Sequence, residues 1–342
     1  MVKKKKNITL KDIASKAGVS TSLVSFVLNG KQKRYRVNQE VAERIKRIAQ
    51  ELDYKPNDHA KGQKNNISRT IGVIVPQISN HFFSKIVQAI EYYTEKYNYL
   101  AIFASSEEKA EKMELQIDRM LKKQVDGLIL VPCEGSEDTI QTLVDRDVPI
   151  VLIDRYFPDI RTHYVSLNNE ASAYKATVHL ITQGFSKVVF IGYDMNLSHM
   201  KSRIKGYTQA MTDYNFTKNI RIKYVNNSTE ASNYGKVLKS VIDSGADSIL
   251  FATNTIAINS LYYLQRNSIR IPEQLGLVGF DSDTAFDFFY APLTCIKQPI
   301  EQMAEKATAI LLEHINSKAH LLHQVEAEGT LIVRASSKLN IL

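Results

Sequence analysis

The sequence predicts an N-terminal all-α head with a helix-turn-helix, joined by a hinge to an α/β body with two lobes. Residues 8–30 contain two short amphipathic helices around a glycine-containing turn, which is the helix-turn-helix arrangement. From Thr70 onward, strand-like apolar runs alternate with amphipathic helices, which indicates parallel sheets flanked by helices. The stretch 70–342 is longer than a single doubly wound sheet usually needs, so two lobes with a cleft between them are expected.

The first helix of the head has clear start and stop signals. Thr9 is a favourable N-cap, and Asp12 three residues later stabilises the exposed amides of the first turn. Gly18 ends the helix, because glycine readily takes the left-handed conformation at a helix end. Ser20 can then cap a second helix over residues 21–28.

The second helix presents a distinct outer face. At about 100° per residue, Ser22 and Phe26 point away from its apolar side, and Thr21 and Ser25 flank them. In a DNA-binding helix-turn-helix this face meets base edges in the major groove, where Phe26 suits contact with a thymine methyl. Taken alone, the pattern also fits an ordinary helical hairpin in a protein core.

A basic loop and a third helix complete the predicted head. Lys33, Arg34 and Arg36 lie in the loop 31–36, and the helix over 38–52 carries an apolar stripe that can close a three-helix unit. The cations suit backbone phosphates, which supply affinity without sequence information. A merely solvated loop is the alternative.

Charge is divided unevenly along the chain. Of the overall net charge of +8, residues 1–69 carry 17 Lys and Arg against 6 Asp and Glu, or +11, and the remainder carries 27 against 30, or −3. A basic segment on a slightly acidic body is typical of a nucleic-acid-binding head with a separate sensing body.

Several other classes of protein are not indicated. No apolar stretch follows the basic residues 3–6 as in a signal peptide, and no run of about 20 apolar residues offers a membrane span. Cys133 and Cys295 lie in apolar, strand-like surroundings, which favours buried thiols over a disulfide or a metal site. There is no nucleotide-binding loop, nucleophile elbow or zinc spacing. We therefore expect a cytoplasmic protein with no enzymatic activity, cofactor, metal or membrane association.

Short motifs along almost the whole chain resemble one family. The head carries TLKDIA, AGVS, VS and VLNG, and the body carries IGVIVP, ISN with FF, DGLIL, LIDR, HLITQG, RIKGY, VGFD and PLT with QP. This combination resembles the LacI/GalR family of bacterial transcription regulators. The resemblance implies a periplasmic-binding-protein-like body, and it implies double-stranded operator DNA, a small-molecule effector and a second copy of the chain as partners.

The resemblance also implies DNA contacts from the hinge, 57–69. In the family this segment is a helix that pushes a leucine into the minor groove. Asn57 matches the pattern, Lys61 replaces an arginine, and Gln63 stands where the leucine is expected. A polar amide cannot replace an apolar wedge between base steps, so intercalation is not expected here. On the recognition helix Phe26 replaces the usual arginine, which predicts a different operator core. The predicted DNA-binding residues are Thr9, Ser20, Thr21, Ser22, Ser25, Phe26, Asn29, Lys33, Arg34, Arg36, Asn57, Lys61 and Gln63.

A ligand site is expected at the strand ends of the body, because ligands of open α/β sheets bind beyond the carboxyl ends of strands. Asp154, Asn254 and Asp281 each follow a strand-like run, and Phe83 and Arg203 open helices after such runs. Carboxylates, amides and guanidinium groups bind paired hydroxyls, while aromatic rings offer apolar faces. The mixture indicates a small polar effector, most simply a sugar or sugar derivative.

The resemblance places ligand contacts at the same five positions. His199 departs from the family, which commonly has a small hydroxyl residue there. Structural alternatives are core packing for Phe82 and Phe83 and an ion pair between Asp154 and Arg155. The predicted ligand-binding residues are Phe82, Phe83, Asp154, His199, Arg203, Asn254 and Asp281.

These observations lead to one expected organisation and function. The expected units are a head over 1–56, a hinge over 57–69 and a body over 70–342, with one lobe at about 70–166 and 299–322 and the other at about 167–298 and 323–342. We expect a ligand-responsive, sequence-specific repressor of carbohydrate-related genes that binds a near-palindromic operator as a dimer. A corepressor-dependent regulator that senses a purine or another metabolite, and a solute-binding protein, are the alternatives.

Overall fold

The computed structural model describes residues 8–54, 67–226, 231–317 and 321–338, with residues 231–233 described as backbone only. No helix within these ranges is long and apolar enough to cross a lipid bilayer. The chain divides into two compact units, Met1–Ser68 and Arg69–Leu342. The division lies at the C-terminal end of the predicted hinge, most of which lies outside the described residues.

Three helices form the head, α1 (Leu10–Ala17), α2 (Thr21–Leu28) and α3 (Gln39–Glu51). The predicted caps are confirmed. The backbone N–H of Asp12 donates to Thr9 Oγ1 at 3.3 Å, and that of Thr9 donates to Asp12 Oδ2 at 2.7 Å. Gly18 ends α1 with a φ of 66°, and Ser20 Oγ accepts from the backbone N–H of Leu23 at 3.3 Å. The apolar faces meet in one core, whose fully buried side chains are Ile13, Val24 and Ile45.

Within the described residues the body contains two six-stranded sheets. The strands of the first are β1 (Thr70–Val75), β2 (Leu100–Ser105), β3 (Gly127–Leu130), β4 (Ile150–Ile153), β5 (His163–Leu167) and β11 (Gln324–Ala327). Their order is β11-β5-β4-β3-β1-β2, and every neighbouring pair is parallel. The helices of this lobe are α4 (His81–Lys96), α5 (Ala110–Lys122), α6 (Glu137–Asp145) and α12 (Ile300–Asn316).

The second sheet has the order β12-β10-β9-β8-β6-β7. Its strands are β6 (Val188–Tyr193), β7 (Arg221–Val225), β8 (Ser248–Phe251), β9 (Gly276–Phe280), β10 (Thr294–Lys297) and β12 (Thr330–Ile332). All pairs are parallel except β10 with β12. The helices of this lobe are α7 (Asn169–Thr182), α8 (Ser198–Asp213), α9 (Ala231–Asp243), α10 (Asn254–Arg266) and α11 (Ala285–Phe288), with 3₁₀ turns at Thr217–Asn219 and Ala335–Ser337.

The chain crosses between the lobes after β5, after β10 and after β11. The prediction that all of 323–342 belongs to the second lobe is therefore wrong for β11, which pairs with β5 along its whole length. The physical reason is that its few apolar side chains complete the edge of the first lobe's core. Gly329 lies at this last crossing, where an added Cβ would approach Ser172 Oγ to 2.7 Å.

Close packing between α7 and α8 depends on Gly206. An added Cβ there would come within 2.1 Å of the carbonyl oxygen of Glu170 and 2.9 Å of the backbone nitrogen of Tyr174. Backbone atoms cannot move aside by changing rotamer. Because α8 also carries His199 and Arg203, this glycine helps to set the position of both side chains in the cleft.

We expect Gly206→Ala to lower the free energy of unfolding of the body by roughly 1–3 kcal/mol, because the overpacked helices must shift apart. Gly235→Ala in α9 is the matched control, since its added Cβ would meet only ring atoms of Tyr263, at 3.0 and 3.1 Å. Urea unfolding followed by circular dichroism measures both. Equal losses of stability in the two variants would contradict this role for Gly206.

Candidate functional site

The candidate ligand site is a cleft at the carboxyl ends of strands from both lobes. Asp154 directly follows β4 and Asp281 directly follows β9, and both have left-handed backbones, with φ of 70° and 64°. Aspartate is among the residues that tolerate this conformation best. One cleft is lined by all seven predicted ligand-binding residues, Phe82, Phe83, Asp154, His199, Arg203, Asn254 and Asp281. Their role in binding stays a prediction.

Arg203 lies on α8 and is held almost entirely by protein groups. Its Nε donates to Asn169 Oδ1 at 2.8 Å, and a terminal nitrogen donates to the carbonyl oxygen of Ala252. The guanidinium carbon lies 4.1 Å from the centroid of the Phe280 ring, which is cation–π geometry. Burial lowers the pKa of Arg203, and the charges of Asp281 and Asp154 oppose that shift. Arg203 therefore presents a fixed guanidinium group to the cleft.

A second buried cation, Arg155, joins two carboxylates. Its terminal nitrogens donate to the two oxygens of Glu108 at 2.8 and 2.9 Å, and its Nε lies 3.4 Å from Asp154 Oδ2. The ion pair considered as a structural alternative for Asp154 is thus present. Burial raises the pKa of Asp154 to about 6, against the opposing charges of Arg155 and Arg203. The pKa of Asp154 therefore lies well above the ordinary value of an aspartate.

His199 lies one helical turn before Arg203 and is a neutral imidazole. Burial, with the charges of Arg155 and Arg203, holds its pKa well below the usual range. Within the described part of the chain, its Nδ1 has no hydrogen-bond partner. A buried polar atom without a partner is costly, so this nitrogen is suited to a hydrogen bond with a bound molecule.

Asp281 is positioned by two neighbours from the second lobe. Gln298 Nε2 donates to its Oδ1 at 2.7 Å, and the backbone N–H of Asn254 lies 3.4 Å from its Oδ2. The Asn254 side chain reaches Asp283 Oδ2 at 3.4 Å and Asn80 Oδ1 at 3.5 Å. The carboxylate is therefore oriented before any ligand arrives.

Phe82 and Phe83 form an aromatic wall from the first lobe. Their ring centroids lie 5.2 Å apart in an edge-to-face arrangement. Both side chains also belong to the first lobe's core cluster. Core packing and cleft lining are thus compatible, since both side chains belong to the core cluster and also line the cleft.

Polar contacts and an apolar side chain bridge the lobes, in addition to the contact between Asn254 and Asn80 given above. Asn80 Nδ2 donates to Thr255 Oγ1 at 3.0 Å, the backbone N–H of Asn196 donates to Glu134 Oε1 at 2.9 Å, and Ser198 Oγ donates to the carbonyl oxygen of Tyr156 at 2.7 Å. Leu197, from the second lobe, is fully buried in an apolar cluster of the first. The spacing of the lobes is therefore set by specific contacts.

Sequence reasoning missed several residues that line the cleft, among them Asn80, Glu108, Tyr193 and Gln298. Two of them were within quoted motifs, Asn80 in ISN and Gln298 in QP. Glu108 follows the carboxyl end of β2, so the strand-end rule could have found it. Tyr193 is the last residue of β6, so the same rule also applies to it.

The head offers the second candidate surface, on the outer face of α2. Thr21 and Ser22 are exposed, and Ser25 and Phe26 are half-buried. The exposed surface also includes the loop cations Lys33, Arg34 and Arg36, and Asn29 at the C-terminal end of α2. Thr9 and Ser20 act as helix caps. The predicted hinge residues Asn57, Lys61 and Gln63 lie outside the described residues.

Phe26 does not present a free ring to solvent. It stacks on Tyr35 of the basic loop, with ring centroids 3.8 Å apart and planes inclined by 7°. Sequence reasoning treated Tyr35 only as part of a cationic loop, because the loop conformation that brings the two rings together has no signature in the residue spacing.

Comparisons with known proteins cover both parts of the chain. Residues 9–57 match bacterial regulatory proteins of the lacI family, and residues 177–337 match the periplasmic binding protein-like domain. The HTH-type transcriptional repressor PurR of Aliivibrio fischeri is 31% identical over 335 residues, which span 96% of this chain and 98% of that protein. The ribose operon repressor of Haemophilus influenzae is 29% identical over 329 residues, with the same coverage, 96% and 98%.

Solved structures share the fold. The lac repressor dimer bound to operator and the anti-inducer ONPF matches with a TM-score of 0.84 and 20% identity, over 98% of this chain and 100% of that chain. The transcriptional regulator CelR–cellobiose complex matches with a TM-score of 0.70 and 23% identity, over 96% of this chain and 99% of that one. The predicted fold class is confirmed.

A helix-turn-helix head together with a two-lobed body of this topology defines a class of DNA-binding transcription regulators. The 31% identity with PurR over nearly the full length of both proteins shows that this chain belongs to the LacI family of bacterial regulatory proteins.

The raised pKa of Asp154 predicts a pH dependence of stability. The pKa of this carboxyl is about 6 in the folded protein and about 3.9 in an unfolded chain. Between these two pH values, the carboxyl is therefore protonated in the folded state and ionised in the unfolded state. The stabilisation that this proton uptake adds to the free energy of unfolding is fully present below about pH 4, and it is lost as the pH rises through about 6. Asp154→Asn should lack this loss.

Urea unfolding at a series of pH values measures the difference between wild type and Asp154→Asn. Asp118→Asn, on the exposed face of α5, is the matched control and should keep the wild-type profile. If wild type and Asp154→Asn have the same profile between about pH 4 and 7, the pKa of Asp154 is not raised.

Proposed function

We propose that this protein is a ligand-controlled repressor that binds near-palindromic operator DNA as a homodimer. The observation that carries the proposal is a polar, charge-lined cleft between two lobes, in the same chain as a capped helix-turn-helix head with an exposed outer face. Repression, rather than activation, of the controlled genes is supported by the two relatives, which are themselves named repressors. Because operators are chromosomal DNA, the proposal implies that the protein works in the cytoplasm.

We propose a sugar or sugar derivative as the effector. Asp154 and Asp281 offer carboxylate acceptors, Asn254 offers an amide, and the Phe82 and Phe83 rings offer an apolar face. This combination suits a small molecule with paired hydroxyls and apolar ring faces. The ribose operon repressor and the CelR–cellobiose complex are relatives whose names point to sugars.

A purine is the second candidate. It is favoured by the relatives named PurR, such as the one that is 31% identical to this chain. The neutral His199 and the Gln298 carbonyl oxygen, which has no hydrogen-bond partner within the described residues, would suit the donors and acceptors of a nucleobase edge. Either effector gives the cleft a binding role and requires no catalytic group or cofactor.

An effector can regulate only through different affinities for the DNA-competent and DNA-incompetent states. The cleft suits this, because Asp154 and Phe83 belong to the first lobe and Asp281 and Arg203 to the second. A ligand that bonds to both lobes favours one lobe spacing over another. We propose that this spacing controls operator affinity, either by induction or by corepression.

Removal of residues 1–68 should abolish operator binding, because the proposed reading face lies in this unit. The operator is first selected from random DNA with the full-length protein, and affinities are then measured by fluorescence anisotropy at one fixed salt concentration. Cooperative unfolding of the shortened protein shows that the body is intact. Operator binding by this shortened protein at full-length affinity would contradict the proposal.

Asp281→Asn should weaken effector binding by about tenfold or more, since a charge-assisted hydrogen bond is lost while shape is kept. A thermal-shift panel of sugars, sugar phosphates, nucleosides and nucleobases identifies the effector, and calorimetry measures the affinity. Asp243→Asn, exposed on α9 and paired with Lys239, is the matched control. An unchanged affinity in Asp281→Asn would exclude this carboxylate from ligand contact.

A further inference from the structure

The basic loop 31–36 is folded back on the end of the recognition helix. The backbone N–H of Lys31 donates to the carbonyl oxygen of Phe26 at 2.8 Å, that of Tyr35 to Lys31 at 3.2 Å, and that of Val37 to Gln32 at 3.0 Å. These backbone hydrogen bonds fix the conformation of the loop in the absence of DNA. The loop is therefore a structured part of the head.

This fold places Tyr35 beside the proposed reading face. Phe26 lies one helical turn after Ser22, on the side of α2 opposite the buried Val24 and Val27. The Tyr35 ring is stacked face to face on Phe26, at 3.8 Å between centroids, and is 48% exposed. The two rings form one aromatic pair with half of the tyrosine in contact with solvent.

The surroundings of the pair indicate what it contacts. Residues 31–36 contain four cations and no carboxylate, and Lys33, Arg34 and Arg36 are all exposed. Such a loop attracts a polyanion. The apolar group that a polyanionic duplex displays in its major groove is the thymine methyl. An exposed aromatic surface surrounded by cations thus has a matching partner on DNA.

We propose that Tyr35 is a specificity-determining residue for DNA, and that with Phe26 it recognises a thymine methyl in each operator half-site. This inference rests on the proposed function and extends it from the recognition helix to the loop. The stack enlarges the apolar surface beyond the half-buried Phe26 ring. The loop cations hold the backbone phosphates, while the aromatic pair reads the base.

The test uses the full-length protein and its selected operator, in which each thymine is replaced in turn by deoxyuridine. This change removes only the methyl group. We expect one position in each half-site where the replacement weakens wild-type binding by about fourfold, the loss for one buried methyl. Tyr35→Ala should bind the thymine and deoxyuridine operators equally, and Tyr35→Phe should keep the wild-type ratio.

Lys33→Ala is the matched control in the same loop. It should weaken binding to both operators equally and reduce the slope of log affinity against log salt by about 1. Tyr35→Ala should leave that slope unchanged. A thermal melt of each variant, followed by circular dichroism, verifies that the head is folded.

The inference is overturned if Tyr35→Ala keeps the wild-type preference for thymine, or if it only reduces the salt slope. The first result means that Phe26 alone reads the methyl, and the second means that Tyr35 only organises the cations. Both results leave specific operator binding intact. If no specific operator is selected at all, the proposed function itself fails.

Discussion

Among the described residues, two carboxylates and two guanidinium groups are buried in the cleft, and this constraint shapes the body around them. Asp154, Arg155, Arg203 and Asp281 are each at most 6% exposed. An unpaired buried charge costs several kcal/mol, so each must be matched by partners from the protein. The partners come from separate elements, including Glu108 after β2, Asn169 on α7 and Gln298 after β10. The charges of the two lobes also act on each other across the cleft, because Arg203 lowers and Asp281 raises the pKa of Asp154.

The same constraint links ligand binding to the arrangement of the lobes. A polar effector adds partners to groups on both sides of the cleft, such as His199 Nδ1, which has no hydrogen-bond partner among the described residues. The existing bridges, such as Asn80 with Thr255, must then be kept, shifted or broken as the ligand binds. Regulation in the proposed function follows from this competition between protein–protein and protein–ligand hydrogen bonds.

Features that depend on neighbouring residues could be predicted from the sequence, and contacts between residues far apart in the chain could not. The Thr9 cap and the Gly18 stop depend on neighbouring residues, and the strand-end aspartates follow from a general property of parallel sheets. Strand β11 was assigned to the wrong lobe because residue types do not show which sheet edge a short strand joins. The Arg155–Glu108 pair and the Phe26–Tyr35 stack join residues whose proximity depends on loop conformation, which residue types alone do not specify.

Coupling between the cleft and the head is measured most directly by reciprocal titration. Operator affinity is determined with and without a saturating effector, and effector affinity with and without operator. We expect both affinities to change by the same factor, about 5- to 150-fold for typical linkage. An effector that binds with an affinity dependent on Asp281 and leaves operator affinity unchanged would contradict ligand control of this regulator.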